Sequence, residues 1–239
     1  MELLFVHGAL VRDGDWWWRP TAELLREQTG IRSRALALPS CGETEAPGGL
    51  VEDAAALRRA LDGSDLVLVV GHSYGGTVIA EAGAHPAVAR LLYISSYLPD
   101  VGRAQAAIMA GESDPVSIQD NGDGTLGLAG YDAESFGARF LQDADARTQR
   151  EAWSRVTSQQ ASAFVTPTTN SGWRGVDSTY LVCADDHSTS VKLQRFHAAR
   201  ATRSVELPTG HHPFLSRPEL VVEQVQRLVA GATAEHNIG

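Results

Sequence analysis

Val69-Val70-Gly71-His72-Ser73-Tyr74-Gly75-Gly76 is the stretch on which the reading of this chain turns. Leu66 to Val70 is an unbroken apolar run, and such a run fits a strand buried on both faces of a parallel sheet. Thr77 to Ala82 has the character of a helix packing back onto that sheet. Between the two, Gly-x-Ser-x-Gly sets Ser73 on the turn from strand to helix. A serine held there in a strained backbone conformation points its hydroxyl outward, which is the geometry of a nucleophile elbow. The neighbouring chain passes so close that Gly71 and Gly75 have no room for a side chain. The pattern alone also occurs in ordinary glycine-rich turns, so the flanking strand and helix carry the reading.

Upstream, Leu3 to Val6 reads as the first strand, followed at once by His7, Gly8 and Ala9. A glycine just past a strand end, upstream of an elbow, suggests an oxyanion loop. The backbone N–H groups of Ala9 and Tyr74 would then face the charge that develops on a carbonyl oxygen. His7 itself reads as structural. The loop Leu10–Asp15 carries Arg12, Asp13 and Asp15, and Trp16, Trp17 and Trp18 follow. Three tryptophans could form an aromatic box, but one or two anchoring the next helix is the plainer reading. That helix is expected over Pro20–Gln28, ended by Gly30. A second strand is expected over Arg32–Leu38, then a turn-rich loop over Pro39–Gly49. Leu50, Ala54, Leu57 and Leu61 recur at helical spacing.

Downstream, Arg90–Ser95 reads as the fourth strand. From residue 98 to 176 the alternation of strand and helix is lost. A hairpin is expected over Ser117–Leu126, with Asn121-Gly122 as its turn. Its acids lack the spacing of a calcium loop. Short helices are expected around Ala133–Gln142, Ala146–Thr157 and Gln159–Phe164. Such an insert reads as a lid over the strand ends, and Met109, Tyr131, Phe136, Phe140, Trp153, Phe164 and Trp173 imply a mostly apolar pocket beneath it. Alternation returns with a strand over Ser178–Cys183, a helix over Val191–Ala199 and a short strand over Ser204–Leu207. Ser216 is placed to cap a last helix from Pro218 to Gly231, with a frayed tail beyond. Residues 1–97 and 177–239 therefore form the core and 98–176 the insert, in an α/β fold with a six-stranded, mainly parallel sheet flanked by helices.

Composition excludes several classes. The chain has 239 residues, 43% hydrophobic and 21% charged, as in a soluble globular protein. Its net charge of −9 argues against nucleic acid or an anionic membrane surface as a partner. No apolar run approaches the roughly 18 residues of a membrane helix. Met1–Val6 lacks the basic start of a signal peptide and runs straight into a strand, so a cytoplasmic location is expected. Cys41 and Cys183 are far apart and read as free buried thiols.

A serine hydroxyl needs a base within hydrogen-bond reach, and the base needs an orienting carboxylate. Ser73, Asp186 and His211 supply these in chain order, each just after an expected strand. Together with Phe5-Val6-His7-Gly8-Ala9, Leu38-Pro39-Ser40-Cys41-Gly42, Tyr180–Cys183 and Gly210–Pro218, they resemble the small α/β-hydrolases of the methylesterase and hydroxynitrile lyase group. The resemblance runs over nearly the whole chain and is weakest over residues 100–175. It implies the α/β-hydrolase fold with a small lid after the fourth strand, no cofactor and no metal. It puts the acid at Asp186, the second of the pair Asp185-Asp186, and the base at His211, directly after Gly210. The lyase branch carries Thr or Asn in place of Gly8, and some lyases carry Lys in place of His212. Both departures favour a carboxylesterase-type serine hydrolase acting on a small-molecule ester through an acyl-enzyme. The alternatives are a lyase or other non-ester reaction on the same triad, tailoring of secondary metabolites, and a ligand receptor on a hydrolase fold. A homodimer is left open.

Overall fold

The computed structural model describes residues 1–236, with side-chain surroundings described as far as residue 230. In chain order the first half runs β1 (Glu2–Val6), α1 (Gly14–Thr29), β2 (Ser33–Ala35), α2 (Leu50–Leu61), β3 (Val67–His72), α3 (Gly75–Ala82) and β4 (Val88–Ile94). The middle holds α4 (Gln105–Met109), β5 (Ile118–Asp120), β6 (Thr125–Leu128), α5 (Ala133–Phe140), α6 (Ala146–Trp153), β7 (Gln159–Gln160) and α7 (Ser162–Val165). The chain ends with β8 (Ser178–Cys183), α8 (Val191–Ala198), β9 (Arg203–Leu207), α9 (Pro213–Ser216) and α10 (Pro218–His236).

Six strands pair in the order β2-β1-β3-β4-β8-β9, every pair parallel. β3 is buried on both faces along its whole length, which is why its sequence is apolar without alternation. One face of the sheet packs on α2 and α3, through Leu50, Leu57 and Val78. The other packs on α1 and α10, through Trp18, Leu25 and Val225. From β1 the chain steps to β2 on one side, and from β3 to β4 on the other. Strand order thus reverses between β1 and β3, and the crevice beyond their carboxyl ends is where an open α/β sheet binds ligands. A small antiparallel sheet, β5-β6-β7, forms in the middle segment.

Several boundaries differ from the sequence reading, each for a local reason. α1 begins at Gly14, not Pro20, because Asp13 at φ 66° caps it and its carboxylate accepts from the Trp16 N–H. The tryptophans are therefore helical: Trp18 stacks on Phe5 of β1 at 4.4 Å and on Phe214 at 3.8 Å, anchoring α1 to the sheet. β2 stops early, since the Leu38 N–H turns away to donate to the Glu43 carboxylate. α6 ends at Trp153, and Val156 then pairs with Val11 in an isolated antiparallel bridge. Gln159, expected in a helix, lies in β7 with a fully buried side chain. Ser216 closes the short α9 and donates to Asp143 instead of capping α10. α10 runs through Gly231 to His236, since one helical glycine costs only about 1 kcal/mol. The expected fraying falls partly on residues 237–239, outside the described ones. Cys41 and Cys183 are free and buried, as expected.

Candidate active site

The elbow has the strain that its sequence demands. Ser73 follows β3 at φ 49°, a left-handed conformation unfavourable for a serine. A Cβ on Gly75 would strike the Val6 carbonyl, so only glycine lets β1 pass this close. The Ser73 backbone is held from two sides: its N–H donates to the Ile94 carbonyl at 3.3 Å, and its own carbonyl accepts from the Ser96 hydroxyl at 2.7 Å.

Asp186 lies in the loop after β8 and is buried, while Asp185 beside it is exposed. Asp186 Oδ2 stands 2.7 Å from Nδ1 of His211, and Ser95 donates to the same oxygen at 2.5 Å. The other oxygen accepts the N–H groups of Ser188 at 2.7 Å and Thr189 at 3.0 Å. Gln194 adds a bond to Oδ2 at 3.1 Å. Burial pushes this carboxyl towards the neutral form, but His211 and these donors hold its pKa below the ordinary value. Since Nδ1 of His211 is taken up by Asp186, Nε2 is the nitrogen left free. Ser73 and His211 line the same cavity, and no hydrogen bond joins them among the described residues. Such bonds are often long in unliganded sites and tighten when substrate enters.

His72 and His212 complete the wall. His72 Nε2 bonds the His211 carbonyl at 3.0 Å, and His212 Nδ1 donates to the Phe140 carbonyl at 2.9 Å. The His212 ring stacks on Trp17 at 4.8 Å. Burial first, and the neighbouring imidazoles next, push His72 well below its usual pKa and His212 down to about 3. One ring nitrogen from each of His72, His211 and His212 lies within 4.8 Å of the others, so these three are the group that could close on a metal ion. The hairpin acids do not form such a group among the described residues.

Ala9 and Tyr74, the residues expected to offer oxyanion donors, lie just beyond the carboxyl ends of β1 and β3. Neither the Ala9 nor the Tyr74 N–H donates to a protein acceptor among the described residues, and both residues line the cavity. His7 is turned away, with its Nε2 2.6 Å from the Glu43 carboxylate. Burial alone would lower the pKa of His7; the Glu43 contact overrides it and raises the net value. The same carboxylate accepts the N–H groups of Leu38 and Asp13, so this pair ties together the loops after β1 and β2.

The cavity encloses about 750 Å³, part of it open to solvent. Val116, Ile118, Leu128, Phe136, Phe140 and Phe164 give it an apolar wall. Among the described residues Glu112 is the one carboxylate on that wall, and neither Lys nor Arg lines it. Of the expected aromatic residues, Tyr131, Trp153 and Trp173 lie elsewhere, and none of Trp16, Trp17 and Trp18 lines the cavity. Ser95, Gln194 and His72 were not singled out from the sequence. Ser95 stands at a strand end with φ 41°, which only three-dimensional pairing with Asp186 makes meaningful. Nothing in the sequence marks Gln194, a helix residue.

A doubly wound parallel sheet with a strained serine elbow at its switch point, facing a carboxylate–imidazole pair, defines the α/β-hydrolase class of scaffold. The comparison with family models agrees over residues 3–224, and the chain belongs to the alpha/beta hydrolase family. It is 29% identical over 223 residues to the alpha/beta hydrolase nvfD of Aspergillus novofumigatus, covering 84% of this chain and 86% of that one. It is 25% identical to methylesterase 8 of Arabidopsis thaliana, covering 94% and 88%. A pyrethroid hydrolase from Sphingobium faniae has the same fold, with a TM-score of 0.82 at 23% identity over 98% of this chain and 99% of that one. The methylesterase likeness agrees with the resemblance read from the sequence.

Proposed function

We propose that this protein is a serine hydrolase that cleaves neutral, partly apolar carboxylic esters through an acyl-enzyme. The observation that carries the reading is the cavity lined by both Ser73 and His211, the latter held from behind by Asp186. In this reading His211 Nε2 takes the Ser73 proton as Oγ attacks the acyl carbon. The N–H groups of Ala9 and Tyr74 hold the oxyanion, each donor supplying roughly 3 kcal/mol to the transition state. His211 then protonates the departing alcohol, and water, activated by the same imidazole, releases the acid. Asp186 keeps Nε2 unprotonated and aimed, because Nδ1–H is its donor. Residues 98–176 act as a lid that supplies much of the apolar wall. No cofactor takes part.

The absence of Lys and Arg from the cavity supports the choice of substrate. A free carboxylate on the acyl or alcohol part would lie there unpaired, at a cost of several kcal/mol. The same absence argues against cyanohydrin cleavage, which needs a positive group where cyanide departs. Gly8 argues likewise: a Cβ there would lie 3.0 Å from His72 Nδ1 and 3.2 Å from Ser73 Cβ, so a Thr or Asn would crowd the elbow.

The test is a panel of p-nitrophenyl and methyl esters assayed with wild type and Ser73→Ala side by side. Turnover of aryl or methyl esters that vanishes in the variant is expected, with little cyanide released from mandelonitrile. Cyanide release without esterase activity would overturn the reading, and single-turnover acylation with no further cycles would favour a receptor.

A further inference from the structure

Both backbone groups of Leu10, the residue after the Ala9 donor, are held by the middle segment and not by the core sheet. The Leu10 carbonyl accepts the Thr157 N–H at 2.9 Å. The Leu10 N–H donates to Oε1 of Gln159 at 2.9 Å. Leu10 needs holding: its φ is 60°, a left-handed conformation in which a branched side chain is strained.

Gln159 reaches further. Its amide donates to the Ser40 hydroxyl at 2.9 Å, and that hydroxyl donates to Asp53 Oδ2 at 2.6 Å. The same Asp53 oxygen accepts the Tyr74 hydroxyl at 2.8 Å. Gln159, Asp53 and Tyr74 are fully buried, and Ser40 nearly so. Asp53 is further fixed by the Ser40 N–H at 2.9 Å. One carboxylate thus anchors two arms. The first goes directly to Tyr74, whose own N–H is one oxyanion donor. The second goes through Ser40 and Gln159 to Leu10, next to the other donor.

We propose that Gln159 is a positioning residue for the reaction, fixing the loop that carries the Ala9 N–H at a set distance from the Tyr74 N–H through Ser40 and Asp53. The proposal rests on the serine-hydrolase reading above. An oxyanion hole acts by preorganisation, so its two donors must keep their spacing as the carbonyl oxygen gains charge. Gln159 neither touches the reacting atoms nor lines the cavity; it sets where one donor stands. The fixed polarity of its amide suits the task, with one acceptor for Leu10 and one donor for Ser40.

The experiment compares wild type, Gln159→Met and Gln159→Glu. Methionine matches the length and apolar volume but offers the Leu10 N–H no strong acceptor; glutamate retains one. Each is assayed for kcat and KM on a p-nitrophenyl ester, for affinity towards a trifluoromethyl ketone that adds Ser73 as a hemiketal, and for affinity towards the product alcohol. Gln159→Met should lose about 10- to 100-fold in kcat, with KM changing less than about threefold. Ketone affinity should fall in parallel with kcat/KM while alcohol affinity stays level. Gln159→Glu should fall between the two. A folded Gln159→Met with kcat within about twofold of wild type would overturn the proposal. So would equal losses of ketone and alcohol affinity, which mark general loosening. Should Gln159→Met fail to fold, Gln159→Glu decides alone: it must lose kcat and ketone affinity together at constant alcohol affinity, and wild-type values would overturn the proposal. Ser73→Ala run in parallel separates the failures, since retained turnover there sinks the serine mechanism, whereas lost turnover with an unaffected Gln159→Met sinks only the clamp.

Discussion

At the scale of single residues, two adjacent pairs in the sequence, Asp185-Asp186 and His211-His212, come apart in the structure by burial and partner. Asp186 faces His211, whereas Asp185 is exposed. Asp186→Asn should therefore abolish most turnover, by about 10⁴-fold, through the wrong imidazole tautomer, and Asp185→Asn should be mild. Parallel kcat measurements on the two variants check this. Ser73→Ala should lower kcat by several powers of ten, and a serine-directed phosphonate should label wild type once, at Ser73. Ser95→Ala removes one short donor from Asp186 but leaves Ser188, Thr189, Gln194 and His211 in place, so kcat should fall about tenfold with little change in KM. That Ser73, Asp186 and His211 come together was legible because elbow chemistry, chain order and strand ends are local features of the sequence. Ser95, Gln159 and Gln194 were not, because their meaning lies in partners 91, 149 and 8 positions away that only folding brings near.

At the scale of elements, β1 and the start of α3 approach so closely that only glycine fits between them. Gly75 sits against the Val6 carbonyl, so Gly75→Ala forces the elbow and β1 apart. It should cost about 3 kcal/mol of folding stability, read as a lower urea midpoint at unchanged slope. The strands of the core were readable because buried parallel strands carry apolar runs. In the middle segment the hairpin at Asn121-Gly122 and the helices starting at Ala133 and Ala146 were legible, yet β7 and the bridge at Val156 were not. Both depend on pairing with β6 and with the loop after β1, and neither pairing leaves a periodic trace. α1 opens six residues before the expected Pro20, because the capping Asp13 starts the helix and Pro20 lies inside it.

At the scale of the whole molecule, no helix among the described residues is long and apolar enough to cross a membrane. Stability should depend on pH through His197. This ring projects from α8 and is buried, and its Nδ1 accepts the Leu98 N–H at 3.1 Å. Burial, and then Arg200, push its pKa down to about 4, with the Leu98 contact and Asp100 opposing. The unfolded chain then binds this proton near pH 6.5 and the folded chain only near pH 4. Stability from this group is therefore full above about pH 6.5 and falls as pH drops towards 4, by up to about 3 kcal/mol. Urea unfolding at pH 7 and pH 4.5 checks the sign: wild type should lose more than His197→Gln, whose side chain cannot take up the proton.

The bridge between Val11 and Val156 has an evolutionary side. In many scaffolds a cap can be exchanged between relatives as a cassette, tuning which substrates enter while the chemistry stays with the core. Here Val156 of the middle segment is bridged to Val11 in the loop after β1, and Arg155 extends the seam with an ion pair to Asp13. A graft cut at residues 98 and 176 would exchange one side of that seam and leave the other behind. Recombined chains would keep this seam only if the loop after β1 and residues 98–176 were inherited together.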